Sequence, residues 1–145
     1  MKNILILIAL FLTLQVTAQN TNPIKWEFFP KKEANGTTTL LAKATIEKGW
    51  HVFAPNPGGD GLLIPTGVVL NEKGIANVSP AVVEGKEISK EMDGVGLVHY
   101  FEYQVVYKIN FEAKGQTSVS GTVSYQLCND QLCFPPTDLP FEIKL

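Results

Sequence analysis

The chain has 145 residues, 45% of them apolar, and 12 Lys and Arg against 14 Asp and Glu give a net charge of −2. A near-neutral balance with no basic run and no interleaving of aromatic and basic residues excludes a nucleic-acid surface, so the partners expected are proteins or small molecules. The length fits one domain with enough apolar material for a core of its own.

Lys2 gives a positive start, residues 4–16 form an apolar run broken only by Thr13 and Gln15, and Val16-Thr17-Ala18 resembles a small-residue cleavage site. Together these predict a cleavable signal peptide over residues 1–18 and export to the periplasm or beyond. The apolar stretch falls short of the about 20 residues that span a bilayer, so no membrane span is expected after cleavage. Gln19, not cysteine, stands immediately after Ala18, which leaves a lipid anchor without an attachment site. The domain expected is 19–145.

After the leader, the pattern is of strands and turns with little sign of helix. Residues 24–28 alternate apolar and charged side chains and stop at Pro30; residues 37–46 are β-branched and apolar between Gly36 and Gly49. Residues 50–53 form a third run, leading into the Pro- and Gly-rich segment 55–61, which is expected to be a loop. Residues 68–70 end at the turn signal Asn71-Glu72-Lys73-Gly74, and residues 75–83 carry a short extended piece interrupted by Pro80. The charged stretch 84–93 then separates these from residues 98–111, in which Tyr103, Val105, Tyr107, Ile109 and Phe111 alternate strictly with other residues. Residues 117–126 form another alternating segment, and residues 141–145 close the chain as a last strand. Seven or so short strands predict an all-β, immunoglobulin-like β-sandwich. The periodicity assigns Trp26, Trp50, Phe53, Tyr103 and Tyr107 to the core.

The chain's two cysteines, Cys128 and Cys133, stand with four residues between them inside one loop near the C-terminus. In an exported protein such a pair serves as a staple, a metal clip or a redox switch. On the chain-entropy model a loop of about six residues gains only roughly 2 kcal/mol, against about 4.7 for a hundred-residue loop. A staple at this spacing is weakly placed. His51 and His99 lie far from the pair in sequence and lack zinc-ligand spacing, so neither a metal nor another cofactor is expected. Asp130, between the cysteines, either raises the thiol pKa through its charge or caps the turn.

The segment Val123-Ser124-Tyr125-Gln126, then Cys128, Asp130, Cys133, Phe134, Pro135 and Pro136, resembles the N-terminal periplasmic domain of the thiol:disulfide interchange protein DsbD. In that family a strand ending in Tyr-Gln leads into a cysteine, an acidic residue, a second cysteine, an aromatic residue and two prolines. Gly49-Trp50-His51-Val52-Phe53 extends the likeness to an aromatic-rich strand after a glycine. The resemblance implies an immunoglobulin-like fold and a thiol-disulfide oxidoreductase activity. Cys128 and Cys133 would take electrons from a thioredoxin-like donor and reduce periplasmic thiol-disulfide proteins, in disulfide isomerisation or cytochrome c maturation. It also implies that Cys133, flanked by Phe134, forms the mixed disulfides, and that residues 90–94 act as a cap with Met92 in the place of the family's aromatic residue. Two features depart from the family: the cysteine spacing is one residue shorter, and the chain ends at Leu145 without transmembrane or thioredoxin-like domains, so the donor is expected to be a separate protein. The rival reading is a secreted binding module that presents loop 55–61 and uses the disulfide to steady an edge.

Overall fold

In the computed structural model, which describes residues 22–145, the chain is all β. The expected leader at 1–18 lies outside the described residues. Among those described, no helix is long and apolar enough to cross a membrane.

The strands are β1 (Ile24–Lys32), β2 (Thr38–Ile46), β3 (His51–Gly58), β4 (Gly67–Leu70), β5 (Ile75–Ala76), β6 (Val82–Met92), β7 (Gly96–Ala113), β8 (Ser118–Tyr125), β9 (Leu127–Cys128) and β10 (Thr137–Lys144). One sheet runs β1-β2-β7-β3-β9, with β5 and β6 also paired to β7; the other runs β10-β8-β4. The two sheets form an immunoglobulin-like β-sandwich, as the strand pattern predicted. Alternate residues of β2 (Leu40, Ala42, Ala44, Ile46), β3 (Val52, Ala54) and β7 (Val105, Tyr107, Ile109, Phe111) meet Val68, Leu70, Val119, Val123 and Ile143 of the smaller sheet. Phe28 stacks on Phe141 across the gap with ring centroids 4.1 Å apart, and Trp26 meets Tyr125 at 5.8 Å.

Four expectations need correction. Pro30 does not end β1, and Pro140 lies inside β10 rather than before it. Both strands are sheet edges, where a missing N–H disturbs no ladder. Segment 55–61 is not wholly loop, because β3 continues through Pro55 and Pro57 to Gly58, which pairs with Val98 after a break in register. Gly58 has φ +70°, and a Cβ there would sit 2.3 Å from the Leu97 carbonyl oxygen, so only glycine allows the chain to rejoin. The charged stretch 84–93 is mostly β6, an edge strand whose Glu84, Lys86, Glu87, Lys90 and Glu91 are exposed, the usual defence against edge-to-edge association.

The fourth correction is Tyr103, which is 57% exposed rather than in the core. It has φ +62° at a break in the β6–β7 ladder, where Glu102, Tyr103 and Gln104 face the single Lys86. The irregularity turns Tyr103 outward while Phe101 and Val105 on either side remain buried. It also divides β7 between two partners. Residues 104–111 pair with β2, and residues 100–102 with β3.

Candidate functional site

β3, β7 and β9 bury side chains on both faces. Val52, Ala54, Phe101 and Leu127 belong to the sandwich core. Their neighbours Phe53, Val98, Tyr100 and Cys128 form a second cluster, which by the alternation of strands must lie on the opposite, outer face of the larger sheet. Leu63, Ile88, Met92 and Val95 pack over it. The disulfide is therefore not in the sandwich core at all.

Cys128 ends β9 and is 1% exposed; Cys133 is exposed, and the two are bonded. Between them the chain makes a tight turn. Asn129 N–H donates to the Leu132 carbonyl at 2.9 Å, and the Asn129 carboxamide oxygen accepts from the N–H groups of Gln131 and Leu132, each at 2.8 Å. Asn129, not Asp130, thus caps the turn, leaving the Asp130 carboxylate exposed at the rim. Beyond the pair, Phe134 N–H donates to the Leu127 carbonyl at 2.8 Å, and the Phe134 ring meets Trp50 with centroids 4.9 Å apart. Phe134 faces a separate cavity, shared with Trp50, Tyr125 and Pro135, and so anchors the loop exit from behind. Among the described residues all peptide bonds, including those of Pro135 and Pro136, are trans.

On the other side of the disulfide lies a cavity of about 450 Å³, bounded by Cys128, Cys133, Asp130, His51, Phe53 and the β6–β7 hairpin tip with Met92. The structure brings Met92 to the cysteines, where the sequence comparison had put the cap. Residues 90–94 are not a free loop, however. Lys90, Glu91 and Met92 pair with Val98, Leu97 and Gly96, and the turn closes by Val95 N–H donating to the Met92 carbonyl at 3.0 Å. The cover is a hairpin end, half-buried at Met92, rather than a strand-free segment.

His51 is the site residue that sequence reasoning missed. It sits directly opposite Cys128 in the β3–β9 ladder, with its ring 4.6 Å from that of Tyr100 and 5.5 Å from that of Phe53. Burial holds its pKa below the usual histidine value, opposed by the Asp130 carboxylate and reinforced by Lys90. The signal was available in principle: a strand apolar on both faces, as in His51-Val52-Phe53-Ala54, is buried on both faces. His99 takes a different course, 2.9 Å from the Ser89 hydroxyl and 3.1 Å from the Glu87 carboxylate. Among the described residues no three His, Cys, Asp or Glu side chains are grouped to hold a metal ion.

The disulfide of this two-sheet β domain thus has one buried and one exposed end beneath a hairpin tip. The chain belongs to the family of the N-terminal domain of the thiol:disulfide interchange protein DsbD, whose model matches residues 15–144. Among solved structures it is similar to the N-terminal periplasmic domain of ScsB from Proteus mirabilis, with 15% identity and a TM-score of 0.62 over 89% of this chain and 49% of that one. It is also similar to the DsbD N-terminal domain of Neisseria meningitidis in the reduced form, with 14% identity and a TM-score of 0.55 over 84% of this chain and 85% of that one. A third likeness is to the complex of the DsbD and PilB N-terminal domains of Neisseria meningitidis, with 14% identity and a TM-score of 0.51 over 88% of each chain. At such identities these likenesses speak for the fold. The chain spans about half the length of the ScsB domain it matches. No curated protein matches it in sequence.

Proposed function

We propose that this domain relays reducing equivalents between thiol proteins through Cys128 and Cys133. The observation that carries the reading is the asymmetry of the pair: one cysteine buried in an apolar cluster, the other exposed at the rim of a turn, in a chain of this family. A donor thiolate attacks the accessible Cys133 sulfur and breaks the bond to Cys128, forming a mixed disulfide that the donor's second thiol resolves. Both cysteines are then thiols. In the outward half, the Cys133 thiolate attacks an acceptor disulfide, and Cys128 attacks Cys133 to release the reduced acceptor and restore the original bond. Each cycle moves two electrons and needs no bound cofactor.

Met92 gates the pair from the hairpin tip, and Asp130 and Phe134 flank it, the first as a rim charge and the second as the anchor of the loop exit. The reading includes a leader at 1–18, a domain at 19–145 in the periplasm, a thioredoxin-like donor, and acceptors in disulfide isomerisation or cytochrome c maturation. Support for thiol-protein partners comes from the Neisseria DsbD domain, which forms a complex with a PilB domain. Trapping tests the assignment. The Cys128→Ala variant should accumulate a mixed disulfide at Cys133 with an acceptor presented as its disulfide, because Cys128, the thiol that would release the acceptor, is gone. A trapped complex seen only with Cys133→Ala would reverse the roles, and none with either variant would favour a structural disulfide.

A further inference from the structure

Cys128 poses a problem that Cys133 does not. In the outward half of the cycle it must lose a proton before it can attack, yet it is 1% exposed and sits among Phe53, Val98 and Tyr100 under Met92. An apolar surround raises a thiol's pKa and keeps water away from its proton. The fold sets a histidine directly opposite Cys128 in the ladder: His51, buried, on the same face of the sheet and on the wall of the same cavity.

We propose that His51 is the proton acceptor for Cys128 in the step that resolves the mixed disulfide. The inference rests on the exchange reading above and adds a group to it. The Cys128 S–H bond breaks and its proton passes to the free ring nitrogen of His51. The thiolate forms a bond to the Cys133 sulfur, and the bond between Cys133 and the partner sulfur breaks. That sulfur leaves as a thiolate and takes a proton from solvent, while the imidazolium returns its own proton to solvent. Two electrons pass from the domain's thiols to the partner, and His51 ends as it began.

The surroundings suit a base. Phe53 and Tyr100 enclose the ring and favour its neutral form. The charged groups around it are Glu102, opposite it in β7; Lys90, Glu91 and Asp93 on the hairpin tip; and Asp130 on the cysteine turn. Their charges are mixed, and Asp130 stabilises the transient imidazolium while Lys90 opposes it.

The test uses glutathione disulfide as the oxidant of the reduced protein, with acid quench and mass spectrometry to separate formation of the Cys133–glutathione adduct from its resolution. In His51→Gln, and in His51→Phe, which keeps the packing but has no ring nitrogen, resolution at pH 7 should slow by about a hundredfold while adduct formation is unchanged. Equal resolution rates in wild type and both variants would overturn the proposal, as would equal slowing of both steps, which marks a structural role. Should the variants fold poorly, the wild type decides. Its resolution rate must fall with acid along the same curve as the His51 ring protons followed by NMR, and a rate with no inflection there overturns the idea. A wild type that forms no adduct would sink the exchange reading and this inference together, whereas adducts that resolve without His51 would sink only the latter.

Discussion

The two faces of the larger sheet are built from the same strands and do different work. The inner face contributes to a core of twenty buried residues shared with β4, β8 and β10, whereas the second cluster has only four, one of them a cysteine. Residues that alternate along β3 or β7 thus belong to two energetic regimes. The inner set is enclosed by a second sheet, and removing a side chain there leaves a cavity. The outer set is covered by one hairpin tip and a few side chains, so its opening involves little buried area and can occur without global unfolding. The disulfide falls on the thinly covered side.

The largest effect expected from this division is on stability from the inner face. Phe111→Ala should cost about 3–5 kcal/mol, measured by urea unfolding, with the exchange rate per folded molecule unchanged. A selective loss of exchange would mean that the two faces are coupled. Reducing Cys128–Cys133 is next. It should cost roughly 2 kcal/mol at most, with the β-sheet circular dichroism intact; collapse of that signal would make the pair a staple after all.

Met92→Ala should cost no more than about 1 kcal/mol, below the 2 to 5 typical of a buried methionine, and should speed reduction of the pair by dithiothreitol. An unchanged rate would rule out the gate, and a large fall in the urea midpoint would move Met92 into the load of the core. The smallest effect is on pH dependence. His51 titrates below its ordinary value of 6.5 in the folded protein, so the unfolded chain binds its proton more readily. Stability should be level above that value with respect to this group and fall as the pH drops through it toward the lowered folded pKa. His51→Phe should flatten that window. It should leave untouched the loss at lower pH, below about 4.5, from Glu27, Glu33 and Glu112, whose carboxyls are held down chiefly by hydrogen bonds from Lys25, Thr39 and Lys114. Persistence of the slope near neutrality in that variant would assign it to another group.

Period-two alternation in residues 98–111 and 117–126 was enough to read most of β7 and β8 from the chain, because a half-buried strand writes its inward face into every second residue, and the β-branched, apolar composition of residues 37–46 was enough for β2. The cysteine loop was legible for a different reason: its chemistry is carried by a short contiguous run, 123–136, and needs no fold to be seen. What stayed hidden depended on neighbours. Proline in β1 and β10 reads as a stop until the strands are known to be edges, and the charges of β6 read as a separating stretch until the segment is seen paired along β7.

Sequence by itself therefore determined a β domain with one cysteine-bearing turn, since both follow from local pattern and local composition. Only the tertiary structure decided which face of the sheet that turn rests on, that Met92 reaches it from the tip of a paired hairpin, and that His51, 77 positions before Cys128, stands opposite it in the ladder. Those are pairings between segments distant in the chain, and register across strands is a property of the assembled sheet rather than of any one strand.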